Sequence, residues 1–383
     1  MLKAKRRLSL ILAFVCLYFI LADYSVYYIK YSNSIVVLIG ILSVLFYNSI
    51  ANVLTFKYFI YSFIFAGGWL VVFLLSTFLN DCPVHPAFYI QVLFGMFIIS
   101  LTDDIRHNTF KYFVNLYTIV LLFSLIDYIF FMIGVSYSLG IVYRGENHHI
   151  PFIHTLFNLI RLSAPRFQSL TEEPGVVGTI NAFIIYLLQS KKCYKQKIIL
   201  YITGFFTFSM AFYIITLIFL LLEKIALKKI LVTLIASFTL FAIFPKTSEK
   251  MILDRITERR VDNRTHDNFK NMYVQAQKNG ELIIGKGHQS FNRYLTQWDG
   301  SAGALVFIYQ YGIIGLTIIF ICYSWAFFRM SSTNRFCFVF YLVFWLSFYQ
   351  RQFIYQPFYI LILYSCYCEY EYFKKEGTYI TIT

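Results

Sequence analysis

Charge is what this sequence has least of. Only 14% of its 383 residues are Asp, Glu, Lys or Arg, where soluble domains carry about 25%. That scarcity excludes an ordinary soluble protein, because 59% of the residues are apolar or aromatic and a globule of this length has no interior that could hide them. A bilayer solvates such surface from outside the fold. Metal and redox signatures are missing as well. None of the seven cysteines has the Cys-x-x-Cys spacing of a zinc or thiol-disulfide site, and Cys82, the one in a candidate exterior turn, has no obvious partner there. No disulfide framework and no metal centre is expected, and nothing suggests a nucleic-acid partner.

What is present is apolar sequence in long runs, with a mean hydropathy of +0.64 and an aromatic content of 21%, made of 43 Phe and 32 Tyr against 4 Trp. The opening M-L-K-A-K-R-R and the apolar stretch after it have the outline of a secretory signal, but Ile20 breaks the small-residue cleavage pattern before Asp23. A first membrane helix with its basic end in the cytoplasm fits better. Further runs cover 35–50, 58–79, 86–101, 112–133 and 175–190, each near the roughly 20 residues a span needs. Parity then places 134–174 outside and the Lys-rich K-K-C-Y-K-Q-K at 191–197 inside.

Residues 198–222 form one apolar run, yet lysines flank it on both sides (Lys195 and Lys197, then Lys224, Lys228 and Lys229). Two short helices meeting outside near Thr207–Met210 keep both clusters in the cytoplasm. A run at 230–244 leads out to a second exterior segment, 245–300, and runs at 303–323, 336–350 and 353–369 complete the layout. The expected fold class is an all-α polytopic integral membrane protein. It forms a single domain over 1–383 of about 12 transmembrane helices, the hairpin counted as two, with both termini cytoplasmic.

Dividing the formal charge of +14 by side separates two populations. Thirteen of the 19 lysines fall in the segments assigned to the cytoplasm, where insertion requires them. Eight of the 14 arginines fall in the two large exterior segments: Arg144, Arg161, Arg166, Arg255, Arg259, Arg260, Arg264 and Arg293. Topology gives no reason for these. A guanidinium offers a planar fork that grips phosphate or carboxylate at two points, so an anionic headgroup is a natural ligand. The plainer alternative pairs them with the ten carboxylates of the same segments. In M-I-L-D-R-I-T-E-R-R-V-D-N-R (251–264) helical spacing stacks Arg255 on Arg259 and Arg260 on Arg264, which favours an anion between them, either Glu258 or Asp262 or a diphosphate.

Residues 166–175 read R-F-Q-S-L-T-E-E-P-G and run straight into a span. Pro174 suits a first helical turn, and Glu172 and Glu173 suit a helix start. Asp127, inside an apolar run, is a functional candidate by its cost in lipid, or else lies at the outer end of its span. His148, His149 and His154 lack partner ligands at metal spacing. Exterior rings such as Tyr143, Phe167, Tyr273 and Trp298 suit either sugar stacking or anchoring at headgroup level.

The order R-F-x-S-x-x-x-E-P before a span resembles the first exterior-loop motif of the O-antigen polymerases, relatives of the O-antigen ligases. The resemblance extends to T-F-S-M-A-F at 207–212, to L-I-I-G-K-G-H-Q-S-F at 282–291 and to S-A-G-A-L-V-F-I-Y-Q-Y-G-I-I-G-L at 301–316. It covers roughly 150–320 and the layout of the spans. Where the ligase motif has a histidine, eleven residues before the Gly-x-x-Gly that begins at Gly312, this chain has Ser301, which favours polymerase over ligase. The resemblance implies a metal-independent glycosyltransferase without cofactor in a bacterial inner membrane. It would pass a growing glycan from undecaprenyl diphosphate to a lipid-linked oligosaccharide repeat at the outer face. Arg166 and Arg264 are then the first candidates for the diphosphate, and Arg255 and Arg161 the next. Glu173 and, after it, His288 are candidates for the base on the acceptor hydroxyl. A chain-length regulator is a further partner such an enzyme can have. The competing class is a lipid-linked oligosaccharide flippase, which should keep its cations in a cavity between spans and its outer loops short.

Overall fold

A computed structural model describes residues 1–25, 32–135, 138, 140–144, 150–155, 157–161, 166–171, 173–188, 193–222, 267–288, 290, 303–331, 334–349 and 354–375. Helices dominate: α1 (Leu2–Ser25), α2 (Ser32–Ala51), α3 (Phe56–Asn80), α4 (Pro86–Ser100) and α5 (Asp103–Met132) come first. Next are α6 (Pro174–Leu187), α7 (Tyr194–Phe206), α8 (Met210–Leu222) and α9 (Asp267–Lys278), and then α10 (Gly303–Met330), α11 (Arg335–Phe348) and α12 (Pro357–Lys375). Among the described residues, four helices are long and apolar enough to cross a membrane: α2, α3, α5 and α10. The others include the short helices α7 and α8, which are separated at Thr207–Ser209, where the sequence predicts a break. The expected run at 230–244 lies outside the described residues.

Lipid is the solvent these helices are built for. On α2 a narrow stripe, Val37, Gly40, Ile41, Val44 and Ala51, is buried, while Ile35, Leu38, Ile39, Leu42, Leu45 and Phe46 all face outward. The stripe follows helical spacing, and the opposite face carries apolar rather than charged side chains. In water so continuous an apolar face drives association; in a bilayer it costs nothing. The chain is a membrane-embedded helical protein.

The chain packs as two compact units, each assembled from separate stretches. Unit 1 comprises Met1–Phe19, Ile29–Tyr112 and Asp262–Cys368; unit 2 comprises Ile20–Tyr28, Phe113–Val261 and Glu369–Thr383. In unit 1, α3 packs against α4 and α10. One end of α3 carries a short bridge in which the Thr55 amide donates to the Ser100 carbonyl (2.9 Å) and Thr102 to Val53 (3.0 Å). Arg106 is fully buried there. It donates to the Ile99 carbonyl (2.9 Å) and to the Asp103 carboxylate (2.5 Å) and lies 5.0 Å from the centre of the Tyr58 ring. The loops before α3 and after α4, which parity puts on one side of the membrane, meet at this end.

Unit 2 contains the departure from an all-α fold. Strands β1 (Gly140–Arg144), β2 (Ile150–His154) and β3 (Leu159–Arg161) form an antiparallel sheet in that order, pairing Val142 with Phe152 and Phe152 with Arg161. Asp127 on α5 holds the turn between β2 and β3. One carboxylate oxygen accepts from the Thr155 hydroxyl (2.5 Å), the Phe157 amide (2.9 Å) and the Asn158 side-chain amide (3.0 Å). The carboxylate inside this apolar run is thereby explained as a turn anchor. Asp127→Ala removes the acceptor shared by these three donors: the Thr155 hydroxyl keeps only the Asn158 carbonyl (3.3 Å) and the Asn158 side-chain amide only the Ser124 carbonyl (2.7 Å), while the Phe157 amide loses the acceptor it had. A cost of about 3 kcal/mol should appear as a lower Tm in detergent, with a smaller loss for Asp127→Asn, which keeps one acceptor oxygen.

Candidate functional site

In unit 1 the segment Gly285–His288 lies against a break in α10. Gly312 has φ 72° and ψ 175°, so the i to i−4 ladder opens around it. The Lys286 amide then donates to the Tyr309 carbonyl (2.8 Å) and the Gly287 amide to the Gln310 carbonyl (2.9 Å). Two backbones touch here. A Cβ on Gly285 would sit 2.5 Å from the Gly312 nitrogen, and one on Gly287 would sit 2.7 Å from both Cβ and Sγ of Cys82. Gly285 and Gly287 of G-K-G on one side and Gly312 of G-I-I-G on the other are the two halves of one seam.

That seam positions His288. Its amide donates to the Ser76 hydroxyl (2.6 Å), and its ring shares a short Nδ1 hydrogen bond with the Tyr311 hydroxyl. The edge of the Phe88 ring lies against it at 4.6 Å between centroids. It is 5% exposed, and Nε2 has no hydrogen-bond partner among the described residues. Burial, helped by the nearby His85, lowers its pKa to about 4. The imidazole is therefore neutral at neutral pH, the form a general base must have.

A folded-state pKa below the ordinary value of 6.5 means the unfolded chain binds the proton more tightly. Stability is fully present above about pH 6.5 and is lost as the pH falls towards 4. Thermal unfolding from pH 7.5 to 4 should show this decline, and it should flatten in His288→Asn.

In unit 2 the loop before α6 is tied to the α7–α8 hairpin. The Phe167 amide donates to the Phe206 carbonyl (3.0 Å). The Arg166 guanidinium donates through Nε to the Thr207 carbonyl (2.7 Å) and through Nη2 to the Phe208 carbonyl (2.9 Å). Phe208, with φ 46°, turns the hairpin so that these carbonyls face the arginine. Ser169 follows with a bond to Ser124 of α5 (2.7 Å). Glu173 is the extended residue before α6, and its carbonyl accepts from the Val176 amide (3.0 Å) and the Thr171 hydroxyl (3.1 Å). Its carboxylate is exposed and makes no capping bond.

Of the residues singled out from sequence, Arg166 and Glu173 share this loop of unit 2, and His288 stands in unit 1. Arg161 lies in β3. Arg255 and Arg264 fall outside the described residues, as do Arg259, Arg260 and Arg293. Sequence reasoning overlooked Ser76 and Tyr311, the hydrogen-bond partners of His288. Both sit in apolar runs where a lone hydroxyl is unremarkable. No family model, curated protein or solved structure matches the chain.

Proposed function

We propose that the chain is a polysaccharide polymerase of the O-antigen type, a glycosyltransferase acting on lipid-diphosphate-linked oligosaccharides at the outer face of a bacterial cytoplasmic membrane. The observation that carries this reading is that the motif segments behind the resemblance adjoin in pairs. R-F-Q-S is bonded to the T-F-S hairpin through Arg166 and Phe167, and G-K-G-H is bonded to the Y-Q-Y-G break through Lys286, Gly287 and His288.

In the reaction so assigned, the bond between the anomeric carbon of the donor glycan and the diphosphate oxygen breaks. A hydroxyl of the acceptor repeat forms the new glycosidic bond, and its proton passes to a base, Glu173 or, as second choice, His288. Undecaprenyl diphosphate departs with its charge met by arginine, with Arg166 and Arg264 the first assignments and Arg161 and Arg255 the next. Guanidinium groups serve that purpose without a metal ion.

Deletion of the gene in its host is expected to leave surface glycan carrying a single repeat, with the chain-length ladder lost. Complete loss of attached repeats would point to a ligase or a flippase instead. Reporter fusions at residues 160 and 270 should both report the exterior. A cytoplasmic signal at either site overturns the topology together with the mechanism.

A further inference from the structure

The C-terminal end of α3 in unit 1 borders a cavity of about 460 Å³ whose polar wall is Asn80, Glu281, Lys286 and Ser290, with Leu79 and Ile284 supplying apolar surface. This volume falls within the range of small-molecule sites, about 300–1,000 Å³. Two of its polar groups have no use within the fold. The Ser290 hydroxyl, on a residue 1% exposed, and the Asn80 side-chain nitrogen have no hydrogen-bond partner among the described residues. Such groups cost stability when buried unsatisfied, and both atoms are closed to solvent as the side chains stand, so a turn about χ1 that brings them to the cavity wall lets a ligand supply the missing partners.

The chemistry of that ligand follows from what the wall already satisfies. Lys286 is bonded to Glu281 at 2.8 Å, so the cavity carries no surplus positive charge for a phosphate. One carboxylate and the Cys82 thiol are too few to hold a metal ion. An apolar ligand would leave Ser290 and Asn80 stranded. A polyhydroxylated ligand satisfies all of them, because sugar hydroxyls donate and accept with the geometry of water. They can receive from Asn80, exchange with Ser290 and bridge the ion pair.

We propose that this cavity is a saccharide-binding subsite, in which Asn80 and Ser290 hydrogen-bond sugar hydroxyls and the Glu281–Lys286 pair brackets the ring. The assignment rests on the polymerase reading for its natural ligand, the oligosaccharide repeat. It places a sugar-reading surface on the G-K-G-H segment of unit 1.

The test exploits the missing partners. Ser290→Ala removes a hydroxyl and Asn80→Ala an amide nitrogen that have no hydrogen-bond partner among the described residues, so each variant should be about as stable as the parent chain. With the full chain in lipid nanodiscs and the host's own lipid-linked repeat, the double variant is expected to raise KM tenfold or more, with a smaller change in kcat. Ser290→Thr, which keeps the hydroxyl, should recover most of the loss in the single-variant series. An unchanged KM with an intact ladder overturns the subsite and leaves the polymerase reading standing. If the parent chain forms no polymer, the polymerase reading falls first. Ligand-observed NMR with the free oligosaccharide released from the host lipid by mild acid then decides the cavity alone. Binding weakened by the double variant upholds the subsite; no binding, or binding indifferent to the variant, overturns it. Displacement of the oligosaccharide by inorganic pyrophosphate would also overturn it, in favour of an anion site.

Discussion

Gly312→Ala is expected to be the most destabilising single-atom addition in unit 1. Two costs combine. The backbone sits at φ 72° and ψ 175°, a region that costs a residue with a Cβ about 1–3 kcal/mol. That Cβ would also meet the backbone nitrogen of Gly285 at 2.7 Å, with atoms of Ile283 and Ile284 nearer still. Backbone cannot rotate aside as a side chain does, so relief requires parting the seam and giving up the Lys286–Tyr309 and Gly287–Gln310 hydrogen bonds. A total of about 3–5 kcal/mol is expected, read as a steep fall in Tm and in folded yield from detergent. Gly285→Ala should behave alike, since its Cβ would meet the Gln310 carbonyl oxygen at 2.6 Å at φ 89°. Gly287→Ala should cost less, because its obstacles are the side chains of Cys82 and Asn80. Gly134→Ala separates the two costs: its φ is 79° but nothing lies within 4 Å, so it should lose only about 1 kcal/mol. Equal losses at 134 and 312 would mean that the seam is not packed as described.

How far each feature could be read in the sequence depends on the range of the interaction that makes it. Helices were legible because a span is written locally, as a run of apolar residues bounded by charge. The lysines on both sides of 198–222 even announced the break at Thr207–Ser209. The sheet was not, since strands of three to five residues are too short for alternation to register, and what secures their turn is Asp127, on another element. The motif glycines were visible as glycines, but nothing local in Y-Q-Y-G says that α10 breaks there. The reason is the G-K-G segment lying against it. Asn80 and Ser290 read as ordinary turn residues, because a missing hydrogen-bond partner is a property of three-dimensional neighbours.

Arg166→Ala is expected to abolish polymerisation, leaving a single repeat on the surface glycan while the protein still inserts. The guanidinium is placed by two hairpin carbonyls, Thr207 at 2.7 Å and Phe208 at 2.9 Å, through two different nitrogens. That bidentate geometry fixes the plane of the fork. On the polymerase reading the guanidinium also meets the departing diphosphate, a contribution worth about 10²–10³ in rate, and alanine forfeits both that charge and the brace on the hairpin. Arg166→Lys decides what the charge is for. An ammonium keeps the positive charge but cannot span both carbonyls with a rigid fork, so a role that needs only charge would survive the change, and a role that needs the fork would not. The expected result is loss of the ladder in both variants, with Tm falling more in alanine than in lysine. Arg264→Ala, in the second exterior segment, should give the same single-repeat phenotype if the two arginines serve one diphosphate. A normal ladder from Arg166→Ala and Arg264→Ala would remove both from the site and leave Arg166 as a strut between the loop before α6 and the α7–α8 hairpin.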